Sequence, residues 1–162
     1  MTDKLISGMK FAAWGIAAAS LLWFGIMLFR LKSPIGVHFA DDGSFDVYDS
    51  KFYGFYPHVI NALCIGITAL TDFLTDRVKT GLKVTERGEA LLRIVMHGSI
   101  GWGRLLIVIF FAYWNALVIF QKPLSERVPT TILGLLAAGF FVTMAAFVII
   151  RYRIAGKEKT DA

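Results

Sequence analysis

Phe11-Ala-Ala-Trp-Gly-Ile-Ala-Ala-Ala-Ser-Leu-Leu-Trp-Phe-Gly-Ile-Met-Leu-Phe29 runs for 19 residues without a charge or a proline. A helix needs roughly 20 apolar residues to cross a bilayer, so this stretch is a spanning helix in its own right. Lys4 and Lys10 precede it as they would a secretory signal. Arg30 and Lys32 close it with no small-residue cleavage site, however, and it reads as a retained first helix over about residues 9–29. Gly15 and Ala19, four apart, offer a small-residue face to a neighbouring helix.

Three more apolar runs lie outward from this one, and they account for a mean hydropathy of +0.62 in a chain of 162 residues. The second opens at Pro57, tolerated in a first turn because its missing N–H would be unpaired there anyway, and covers about 57–74. Tyr53, Phe55 and Tyr56 stand just before it, where amphipathic rings favour an interface. The third pattern begins near Glu86 and continues to Phe120. At 1.5 Å per residue it would be about 50 Å long, well beyond a hydrocarbon core. The expectation is therefore a cytoplasmic or interfacial helix at 86–103, bent at Gly98, Gly101 and Gly103, followed by a spanning helix at 104–120. A short loop with Pro123 and Pro129 leads to a fourth span at 130–150, and a charged, frayed tail starts at Arg151.

These runs predict an all-α fold: a polytopic membrane protein, one integral membrane domain over 1–162, built as an antiparallel bundle of four transmembrane helices. Lys and Arg number twelve across the amino terminus, the second connection and the tail, against five in the first and third loops. That bias puts both termini in the cytoplasm and residues 30–56 outside, as an extracytoplasmic loop between the first two helices. Because the basic residues flank apolar runs, a net charge of +5 reads as a topology signal, and no nucleic-acid partner is expected. The single Cys64 excludes an intramolecular disulfide.

The outer loop collects His38, Asp41, Asp42, Asp46 and Asp49. Gly43 follows Asp-Asp in a short polar segment, which predicts a turn with φ > 0 that brings His38 up to Asp46. That geometry leaves Asp41, Asp42, Phe45 and Tyr48 to a ligand, while Asp46 and Asp49 cap turns and one of them pairs with Lys51. The carboxylates lack the alternating ligands and terminal Glu of a calcium loop, and no paired Cys or His makes a zinc site. No metal or cofactor is assigned. His58 and His97 fall at opposite faces of the membrane, which excludes a bis-His haem. No Ser/His/Asp set, His-Glu-x-x-His or phosphate loop occurs, so the chain is read as non-enzymatic.

A second polar cluster falls at the cytoplasmic side. Arg93, His97, Gly101 and Arg104 share one helical face, and Asp72 and Asp76 share a face of the preceding helix. Ionisable groups near a membrane interior are costly when unpaired, so these opposite charges should form interhelical ion pairs. Asn61 and Asn115, near the outer face, are expected to hydrogen-bond across the bundle.

The loop resembles the family called domain of unknown function 1648, small bacterial membrane proteins that include immunity proteins against a sporulation-delaying toxin. Ile35, His38, Phe39, Gly43, Asp46, Ser50 and Lys51 stand in the register of that family's pattern, and Pro57 matches the proline that opens its next helix. The likeness covers roughly residues 9–74. Gly36 and Lys32 replace two prolines of the pattern, and Asp42 stands where Asn is common. The resemblance implies a multi-pass protein of the bacterial cell membrane, but no particular chemistry. Together with the polar loop it leads to the expectation of an immunity- or receptor-like protein. Its loop residues His38, Phe39, Asp41, Asp42, Gly43, Asp46, Asp49 and Lys51 would bind a peptide toxin or envelope component. An accessory subunit of a membrane complex and a transporter are the alternatives.

Overall fold

The computed structural model describes residues 2–78 and 85–158. Four long helices dominate it: α1 (Thr2–Leu28), α2 (Tyr56–Arg77), α3 (Glu86–Phe120) and α4 (Arg127–Glu158). Each is long and apolar enough to cross a membrane. Most of the predicted polar connection at 75–85, and the end of the tail, lie outside the described residues.

Local chemistry sets the helix ends. α1 ends at Leu28, some way before Pro34, which keeps Ser33 out of helix. Its last turn gains a donor from a distance, because Lys51 Nζ donates to Leu28 O at 3.0 Å and to Leu31 O at 3.3 Å. Pro57 sits in the first turn of α2, as expected. Thr85 caps α3 by accepting from the Gly88 N–H, and Gln121 ends it in the left-handed region at φ 49°. Between these ends α3 is continuous over 35 residues. The expected break near residue 103 is absent because Gly98, Gly101 and Gly103 keep helical backbone. Gly101 is instead a contact point, where an added Cβ would lie 3.4 Å from Met9.

The helices alternate in direction along the chain, but the packing is not that of sequential neighbours. α3 is the hub. Ala13, Ile65 and Val108 form one core cluster on α1, α2 and α3. Phe24 and Ile35 with Val118 and Ile119 form another near the far end of α3. α1 thus runs parallel to α3 and barely meets α2, while α4 packs chiefly on α3. The face of α1 that meets α3 carries Ile6, Ala13, Ser20 and Phe24, all buried. Gly15 and Ala19 are exposed, so the predicted small-residue face is not the one used.

The segment at 30–56, read from the sequence as a loop in an all-α chain, is ordered β structure. Strands β1 (Ile35–Phe39) and β2 (Phe45–Asp49) pair antiparallel, and a 3-10 helix, Lys51–Phe55, leads into α2. Two glycines admit aromatic rings here. A Cβ on Gly36 would lie 2.3 Å from the Phe45 ring, and one on Gly54 would lie 2.4 Å from Phe24.

Candidate functional site

The hairpin closes on the turn from Ala40 to Ser44. Gly43 adopts φ 80°, and its N–H donates to Ala40 O. Asp42 Oδ1 accepts from both the N–H and the hydroxyl of Ser44, at 2.9 and 2.7 Å. Those two bonds, the hydroxyl first, favour the ionised form and hold the Asp42 carboxyl below its usual range. Asp42 therefore builds the turn. His38 Nδ1 and Asp46 Oδ1 approach to 2.7 Å across the strands, but the pair is exposed at 63% and 43%. An ion pair this wet is worth about 0–1 kcal/mol, so apolar packing holds the hairpin.

That packing is specific. Phe39 is buried and stacks on Phe45 at 4.4 Å, and Trp114 of α3 meets Phe39 edge-on at 5.5 Å. Phe39 and Phe45 accordingly belong to the anchor, Phe39 buried and Phe45 half-buried. The tip docks on the α3–α4 connection, where the Leu124 N–H donates to Gly43 O at 2.7 Å. Gln121 Oε1 accepts from the Gly36 N–H at 2.8 Å, on β1. Lys51 caps α1 instead of pairing with an aspartate, and Asp49 accepts from the Ser50 N–H at 2.6 Å. Asp41, Asp46, Val47, Tyr48 and Asp49 remain exposed. β2 pairs only with β1, so among the described residues its other edge has no strand partner.

At the opposite end of the bundle, Asp72 collects partners from two helices. Arg104 Nη2 donates to its Oδ2 at 2.6 Å, Lys10 Nζ lies 3.0 Å from the same oxygen, and His97 Nδ1 lies 3.0 Å from Oδ1. His97 Nε2 reaches Asp76 Oδ1 at 2.8 Å, and Arg104 Nε donates to the Thr68 hydroxyl at 2.9 Å. Arg93 donates to the Asp76 carbonyl at 2.5 Å and pairs within its own helix with Glu89. The geometry thus brings together Asp72, Asp76, Arg93, His97 and Arg104. Lys10 was missed in the sequence, since nothing there shows that α1 runs beside α3. Thr68, also missed, lies one turn before Asp72 on the same face of α2 and could have been found by that spacing.

Near the hairpin, Asn115 Nδ2 donates to the carbonyl and hydroxyl of Ser20 on α1, at 3.2 and 3.1 Å. Asn115 thus bonds across the bundle as expected, whereas Asn61 Oδ1 has no partner. No protein-family model, curated protein or solved structure matches the chain.

Proposed function

We propose that this chain is a non-enzymatic, multi-pass receptor of the bacterial cell membrane, with both termini cytoplasmic, and that its extracytoplasmic hairpin captures an extended cationic peptide. The free edge of β2 carries this reading. An exposed edge strand offers unpaired backbone donors and acceptors to a further strand, a recurrent mode of peptide recognition. Four aspartates and no Lys or Arg occur between Ser33 and Ser50, which selects a basic partner and speeds its arrival. The loop resembles a family that includes immunity proteins against a peptide toxin, which makes a peptide toxin our candidate ligand. Docking on Gln121 and Leu124 connects the hairpin directly to α3, the helix on which the others pack.

The test uses the full chain in nanodiscs with a synthetic decapeptide alternating Lys and Val, and a version N-methylated at alternate amides. The parent should slow hydrogen exchange in β2, and the methylated peptide should not. Asp46→Asn with Asp49→Asn should weaken binding and flatten its salt dependence. Equal binding of both peptides, or none at low salt, refutes strand addition. A second reading, an accessory subunit, is favoured by α4, whose most apolar window contains no buried residue. Stoichiometric copurification of another membrane protein would support it.

A further inference from the structure

The bundle does not close between α1 and α2. Each packs along α3, and a cleft of about 270 Å³ opens between them, walled by Trp14, Ala18 and Leu21 on one side and His58, Asn61 and Ile65 on the other. His58 and Asn61 are three apart on one helical face. Asn61 is only 3% exposed, yet its Oδ1 has no hydrogen-bond partner. His58 has a partner on α3, because its side chain meets that of Asn115. The orientation of that amide is settled by Nδ2, since the Ser20 carbonyl it meets can only accept. Buried polar atoms are nearly always satisfied, most strictly where no water is at hand, so Asn61 Oδ1 calls for a donor within the cleft.

Its lining says what the occupant is. No charged side chain reaches the cleft, so a phosphate headgroup or an ammonium would enter without a counter-charge. A helix, about 10 Å across, is too wide. The volume lies just under the roughly 300–1,000 Å³ of drug-sized sites and suits a single ring. We propose that the cleft binds a neutral, membrane-dissolved amphiphile whose head is a hydroxyl-bearing ring of the phenol or quinol class. One hydroxyl answers the orphan by donating to Asn61 Oδ1. Trp14, Leu21 and Ile65 hold the ring. This site goes beyond the hairpin reading and shares with it only the placement of the helices in a membrane.

The probes are 4-octylphenol, 4-octylanisole and octylbenzene, added to the full chain in nanodiscs and counted by native mass spectrometry. Octylphenol should bind saturably, one per chain. The anisole, which accepts but cannot donate, should bind at least about tenfold more weakly, equivalent to about 1.4 kcal/mol. Octylbenzene should not saturate. Asn61→Leu should lose octylphenol while keeping helicity and melting temperature. Ala18→Phe, which fills the cleft from α1 without touching a polar group, should lose it too. Asp46→Asn with Asp49→Asn in the hairpin should leave uptake unchanged, which separates this site from the peptide edge. Equal binding of phenol and anisole, or uptake that survives both Asn61→Leu and Ala18→Phe, would mean that the cleft holds only water or an acyl chain.

Discussion

Two polar layers lie inside this bundle, and they are built on opposite principles. In the layer around Asp72, one carboxylate meets Lys10 from α1 and both His97 and Arg104 from α3. In the layer around Asn61, a neutral amide faces a seam and its Oδ1 remains unpaired. Three helices converge at the first layer, whereas at the second α1 and α2 stand apart. Charges near a bilayer interior are so costly alone that they must be matched within the chain. A neutral amide is cheaper to leave unpaired. The contrast separates a clamp that closes the bundle from a cleft that stays open.

The largest effect should come from breaking the clamp. Asp72→Ala strands Arg104, whose side chain is 4% exposed, and should cost about 3–5 kcal/mol in SDS-titrated mixed micelles. Asp72→Asn combined with Arg104→Gln should cost less than the two single changes added together, because each alone leaves a charge unmatched. Gly43→Ala comes next. It forces a Cβ onto φ 80° and to 2.1 Å from Leu124 O. Strain of that kind is worth about 1–3 kcal/mol, and faster hydrogen exchange at the Leu124 N–H should report the hairpin lifting off.

The asparagines sharpen the comparison between the layers. Asn115→Leu loses the bonds to Ser20 and should cost about 0.6–1.7 kcal/mol. Asn61→Leu removes an unpaired buried group and should leave stability unchanged or raise it in the same micelles. A loss at Asn61 as large as that at Asn115 would mean that both layers are structural. His38→Ala should change stability by no more than about 1 kcal/mol, since its pair with Asp46 is wet.

The smallest effect is that of pH on the hairpin turn. The folded Asp42 carboxyl is depressed below the ordinary value of about 3.9 by its bonds from Ser44. Its contribution is complete above that ordinary value and is lost only as pH falls through the lower folded one. The Ser44 amide shift in NMR should therefore hold steady down to about pH 4 and change only in stronger acid.

Composition and periodicity alone determined that there are four long apolar helices, but not all their ends: α1 runs back through Lys4 and Lys10, and α4 continues helical past Arg151, where a frayed tail was expected. Chain-local chemistry was legible as well: the positive φ at Gly43 follows from Asp-Asp-Gly-Ser, and the approach of His38 to Asp46 follows from that turn. The hairpin itself had a signal, β-branched and aromatic residues on both sides of Asp-Gly. It was masked by the brevity of the strands and by the bulges near His38, which disturb the alternation. Asp72, Asp76, Arg93, His97 and Arg104 could be grouped from the sequence because opposite charges on consecutive helices must find one another.

Tertiary structure decided the rest. Which helix becomes the hub depends on how several apolar faces fit at once, and faces that are apolar all round carry no directional label. Only that packing sets α1 beside α3, adding Lys10 to the clamp and Ser20 to Asn115. It also turns Phe39 and Phe45 inward and sends Lys51 to the end of α1. The open seam is the plainest case. Its residues belong to two helices whose separation is set by a third, so no spacing within either one could have revealed it.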